Sequence, residues 1–127
     1  MKRDAGNGGS FGFKKVFVAL IFIFEVILIF TFFDYLIHGL SQEYSVPAQY
    51  FINKIIYGTI IGFITYLFVR KKPVLKKSFI LSAIVSILLQ TGYYLQGYSL
   101  SFVLLFLAIH FVILFTVSYL GMRIAKM

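Results

Sequence analysis

The sequence predicts an all-α polytopic membrane protein, a four-helix up-down bundle with both termini on the cytoplasmic side. Three observations predict it. Of 127 residues, 61% are hydrophobic and only 13% charged, whereas an ordinary soluble domain carries about 25% charged residues. Four apolar runs divide the chain, each near the ~20 residues a helix needs to cross a hydrocarbon core of ~30 Å. Eleven of the twelve basic residues fall before the first run, between the second and third, or after the fourth. That asymmetry places those segments inside by the preference of cytoplasmic loops for Lys and Arg.

The leading segment 1–13, MKRDAGNGGSFGF, is polar and Gly-rich, and is expected to be a flexible cytoplasmic tail. Residues 14–127 form the single helical domain. Its first helix spans about 16–37 and is interrupted only by Glu25, Thr31 and Asp34. This run exceeds the roughly 7 to 15 residues of a signal-peptide core and has no small-residue cleavage site, so it is read as a retained span. HGLSQEYSVP makes a short turn, and Pro47 suits the first turn of a second helix over 48–69, which carries Asn53 and Lys54. KKPVLKK turns the chain into a third helix over 78–95. Its outer boundary is the least defined, because Gly92 and Gly97 interrupt the pattern. The fourth helix, 100–121, contains His110.

Composition excludes several chemistries. With no cysteine, neither a disulfide nor a thiolate site can form. The net charge of +8 is explained by topology and anionic lipid, without nucleic acid as a partner. No phosphate loop, HExxH or GxSxG motif is present. Catalysis would have to use Glu25, Asp34 or His110, so an enzyme is the less favoured class. No cofactor is expected.

Glu25 is the most unusual residue. Its helical neighbours Ile21, Phe22, Leu28 and Ile29 cannot donate a hydrogen bond, so a partner must come from another helix. Counting about 1.5 Å per residue, Thr59, Gly62, Ser86 and His110 share its depth. Only His110 is ionisable, and Glu25 with His110 is therefore expected to form a mid-membrane pair, either fastening helices or exchanging a proton or cation. A four-span chain with one acid in the middle of its first helix resembles the layout of the small multidrug resistance transporters. The likeness rests on Glu25 and the helix count; the chain has no Trp and a one-sided charge distribution.

A second constellation is expected nearer the outer surface, formed by Asp34, His38, Asn53, Lys54, Tyr57 and Gln90. Asp34 and His38 lie four apart on one helix face, and Asp34 with Lys54 is the natural ion pair. Asp34, His38 and Glu43 are also conceivable metal ligands, but no recognised spacing fixes a fourth, and no metal site is assigned. Most tyrosines fall in the outer half as an aromatic belt, although Tyr57 and Gln90 lie deep enough to line a polar vestibule with Asn53 and Thr91. Gly58 and Gly62, and the stripe Ser78, Ser82, Ser86 and Gln90, are packing faces, within one bundle or across a homodimer.

These features leave two functions open. One is a proton- or cation-coupled transporter or channel subunit of the cell membrane; the other is a non-catalytic accessory subunit of a larger membrane complex. A bundle-facing Glu25–His110 pair favours the first, and a lipid-facing Glu25 favours a partner.

Overall fold

The computed structural model describes residues 12–127, so most of the segment expected as a tail lies outside the described residues. Four helices follow one another: α1 (Phe13–His38), α2 (Ala48–Val69), α3 (Val74–Leu95) and α4 (Leu100–Ala125), with a short 3-10 turn at Gln42–Tyr44 between the first two. No strand occurs among the described residues. All four helices are long and apolar enough to cross a membrane.

Three of the four helices are longer than their apolar runs, while α2 keeps the expected 48–69. α1 begins at Phe13, so Lys14 and Lys15 are helical, α3 begins at Val74 and includes Lys76 and Lys77, and α4 continues to Ala125. Hydropathy marks only the hydrocarbon part of a helix, whereas backbone hydrogen bonding carries it on through polar flanks. Pro47 and Pro73 stand at the N-caps of α2 and α3, where a missing N–H costs nothing. Ser99 caps α4, its hydroxyl accepting from the Phe102 N–H at 3.2 Å. Gly92 neither shortens nor bends α3 out of helix, which runs through to Leu95; Gly97 takes the positive φ of 96° that turns the chain into α4.

Each helix packs against its neighbours in sequence, and α1 also packs against α4, closing a ring of four. The centre is formed by Ala19, Ile23, Val26, Ile27 and Phe30 of α1, with Leu81, Val85 and Leu114 from the opposite side. The outer wall is hydrocarbon: Phe17, Ile21, Phe24, Leu28, Ile29, Phe32 and many others are exposed. That is the expected surface of a bundle whose solvent is lipid.

Small residues set the helix spacing. A Cβ on Gly58 would come within 3.2 Å of Ile27, and one on Gly62 within 3.0 Å of Ile23, so α2 lies directly on the side chains of α1. Ser78, Ser82 and Ser86 are fully buried. Ser82 meets Ser118 of α4 at 3.4 Å, and Ser78 reaches Met122 Sδ at 3.5 Å, which aligns α3 with α4.

Candidate functional site

Asp34 sits one turn before the end of α1 and is completely buried. Its carboxylate gathers basic side chains from three helices. Lys54 of α2 donates from Nζ to Oδ2. His110 of α4 donates from Nε2 to Oδ1 at 2.7 Å. His38, one turn along α1, holds its Nε2 at 3.4 Å from Oδ1 and at 3.3 Å from Lys54 Nζ. None of these four residues is more than 3% exposed.

The two imidazoles are oriented differently. His38 donates from Nδ1 to the carbonyl of Tyr44 at 2.6 Å, which leaves Nε2 as the acceptor facing the Lys54 ammonium. Its ring stacks on Phe106 with centroids 4.2 Å apart and planes 3° from parallel. His110 has Phe30 edge-on at 5.1 Å, and its Nδ1 is buried with no hydrogen-bond partner in the described structure. Lys54 passes between the rings of Phe51 and Tyr93, its Nζ 5.1 and 4.9 Å from their centroids. These aromatic faces supply part of the solvation that water would give an ammonium.

The expected Asp34–Lys54 contact is therefore present, and the expected Glu25–His110 pair is not. Glu25 is exposed on the outer wall among Ile21, Phe24, Leu28 and Ile29, while His110 turns inward to Asp34. The reason is helical phase. Asp34 lies nine residues beyond Glu25, about two and a half turns, so the two acids project from opposite sides of α1. Once Asp34 faces the core, Glu25 faces away.

The other expected members of the outer cluster lie around it. Asn53 is half-buried, with its Oδ1 accepting from Gln49 Nε2 at 3.1 Å. Tyr57 is exposed. Gln90 turns to α4 and donates to the Val103 carbonyl at 2.8 Å, so it braces α3 against α4. Glu43 is exposed in the connecting turn and takes no part. His110 replaces it in the set of metal-type donors: one ligand atom each from Asp34, His38 and His110 lies within 4.8 Å of the others. The Lys54 ammonium beside this carboxylate supplies a balancing charge.

Tyr93, one of the tyrosines in the outer half that the sequence places in an aromatic belt, belongs to the site. It is 3% exposed, and its hydroxyl has no hydrogen-bond partner in the described structure. With Lys54 it lines a groove of about 310 Å³ between α2 and α3. The clue in the sequence was its spacing: Ser82, Ser86, Gln90 and Tyr93 follow one buried face of α3. A scan of protein-family models and searches of curated proteins and solved structures give no match to this chain.

Proposed function

We propose that the chain is a small multi-pass transport subunit of the cell membrane that exchanges a proton or a cation at Asp34. The observation that carries this reading is one buried carboxylate shared among three basic side chains from three helices, beside a groove that reaches Lys54. Such a centre holds a balanced charge inside the bundle, and gain or loss of one proton or cation changes which helices it binds together. Intramembrane ionisable clusters commonly mark ion and proton paths.

A carrier fits better than an open channel. One turn further along α1 and α4 from Asp34 and His110, the core is closed by Phe30, Ile27, Val85 and Leu114, none more than 1% exposed. Passage across the membrane therefore requires rearrangement of the helices. Orientation follows from charge: Lys14, Lys15, Arg70, Lys71, Lys72 and Arg123 stand at the end of the bundle away from Asp34, so the cluster faces the outer side under the positive-inside preference.

The test is ion flux in proteoliposomes carrying a pH-sensitive dye, under imposed proton, sodium and potassium gradients. Asp34→Asn is expected to abolish a flux that Glu25→Gln leaves intact, with folding of both checked by circular dichroism. Absence of any flux from folded wild-type protein refutes the reading.

A second reading rests on a separate observation. Glu25 is an acid on the hydrocarbon-facing wall, where an uncompensated charge at the centre of a span costs about 2.5–3.5 kcal/mol on insertion scales. A second copy or another membrane subunit seated on α1 would relieve this. The chain would then act as an accessory component of a larger complex, and crosslinking at Leu28 tests it.

A further inference from the structure

At the end of α1 a second cavity meets the Asp34 cluster. It is a vestibule of about 310 Å³ between that helix, the connection 39–47 and the start of α2, with Tyr35, Gly39, Ser45 and Phe51 in its walls. Gly39 and Ser45 are exposed. Of the four residues in the cluster, His38 is the one that lines it. We infer that the species exchanged at Asp34 is the proton, passed between this vestibule and the carboxylate across the His38 ring. The inference rests on the exchange reading above and names its substrate.

The two ring nitrogens of His38 serve different neighbours. Nδ1 is bonded to the Tyr44 carbonyl of the connecting segment at 2.6 Å, and Nε2 lies 3.4 Å from Asp34 Oδ1. Phe106 stacks flat on the ring with centroids 4.2 Å apart, and Phe51 meets it edge-on at 5.6 Å. The residue is only 3% exposed, so the ring closes the inner end of the vestibule. A sodium or potassium ion would have to push this clamped ring aside to reach Asp34. A proton need only change which nitrogen carries it.

The hand-over balances. Outward, Nε2 takes the proton of a protonated Asp34 while Nδ1 releases its own to a water that has replaced the Tyr44 carbonyl. The products are a carboxylate, a hydronium in the vestibule and a ring with its proton on Nε2. Inward, the same bonds run in reverse and restore the Nδ1–H form bonded to Tyr44. The vestibule volume far exceeds the ~30 Å³ share of one water, so it can supply the acceptor. The contact that must yield, His38 to Tyr44, belongs to a three-residue 3-10 turn. That turn is held by the Tyr44 N–H on Ser41 O and the Ser45 N–H on Gln42 O, each at 3.1 Å. Lys54 at Oδ2 and His110 at Oδ1 hold the carboxylate beside the ring.

The test compares proton, sodium and potassium flux in proteoliposomes. Wild-type protein is expected to move protons and neither alkali ion. His38→Gln keeps a polar side chain that cannot relay a proton, and should slow proton flux about a hundred-fold or more, the usual worth of a positioned proton-transfer group. His38→Ala should be equally slow and should recover in millimolar imidazole, which a merely structural role would not produce. Because the chain has no cysteine, Ser45→Cys offers one thiol in the vestibule wall. Labelling it from the outer side with a bulky impermeant reagent should block proton flux reversibly, and the same label on Leu40→Cys, at a 76% exposed residue outside the vestibule wall, should not. Should the His38 variants fail to fold, the labelled Ser45→Cys protein decides. Sodium or potassium carried as fast as protons, unchanged flux in folded His38→Gln, no recovery with imidazole, or full flux through labelled Ser45→Cys overturns the inference while leaving exchange at Asp34 standing. Absence of every flux from folded wild-type protein refutes the exchange reading itself, and this inference with it.

Discussion

Removing both charges of the Asp34–Lys54 pair should cost less than the sum of removing each alone. Asp34→Asn keeps the shape of the side chain but leaves the Lys54 ammonium, 3% exposed, without its counter-charge. Breaking a buried pair from one side costs about 3–5 kcal/mol. Lys54→Met keeps the length of the stem and its packing on Phe51 and Tyr93. It leaves Asp34 with the His110 N–H, so the loss should be smaller, about 2–4 kcal/mol by the same argument. The double change removes both charges together. Were the two sites independent the losses would sum to roughly 5–9 kcal/mol; pairing should bring the double mutant about 2–3 kcal/mol below that sum, within the range known for contacting residues. It should not return to wild type, because His110 and His38 then face a neutral amide instead of a carboxylate. The assay is reversible unfolding in mixed micelles at rising denaturing-detergent fraction, followed by far-ultraviolet circular dichroism for all four proteins. Additivity to within about 0.5 kcal/mol refutes direct coupling.

Other expectations follow from the same packing. Gly62→Leu drives a branched side chain into Ile23, whose Cγ2 already lies 3.0 Å from the position of a Cβ; it should destabilise by about 1–3 kcal/mol, and Ile23→Ala in the same chain should recover part of the loss in the same unfolding assay. Glu25→Leu should change monomer stability by less than about 0.5 kcal/mol, as expected for a surface site, and a loss comparable to that of Asp34→Asn would show that Glu25 faces the core. Cysteines at Ser41 and Lys72 should label oppositely from outside the cell with an impermeant thiol reagent, Ser41 reacting and Lys72 protected; the reverse pattern would invert the orientation. Lys54→Met should also bind cobalt(II) through Asp34, His38 and His110, giving visible absorption bands that wild-type protein lacks, and a colourless variant would show that the three donors cannot converge.

The four helices were legible because hydropathy over ~20 residues reflects the solvent a helix must match. The Asp34–Lys54 contact was legible for a similar reason: two opposite charges at comparable depth have few alternatives. The partner of His110 was misjudged because depth was counted and rotation about the helix axis was not. Asp34 continues the buried series Ile23, Ile27 and Phe30, while Glu25 falls outside it, so an inward Asp34 and an inward Glu25 are mutually exclusive on one straight helix. The choice was written in the phase of α1. The role of Tyr93 was harder to read, since its burial depends on Tyr50, Tyr98 and Phe102 closing around it from other segments. Spacing puts Tyr93 on the buried face of α3, but it does not encode that enclosure.

The glycine seam between α1 and α2 has a mechanical consequence. With Ile23 and Ile27 seated on Gly62 and Gly58, the two helices have little room to approach further. The Ser82–Ser118 contact likewise ties α3 to α4. On the α2–α3 side a Cβ on Gly92 would meet nothing within 4 Å, and the hydrogen bond from His110 to Asp34 ties α4 back to α1. At the opposite end of the α1–α4 seam a Cβ on Gly121 would come within 3.0 Å of Phe22, so the bare glycine lets α4 sit on that ring. On the exchange reading proposed above, a proton on Asp34 would weaken the tie between α1 and α4 at the end of the bundle where the groove lies, while the far end stays packed.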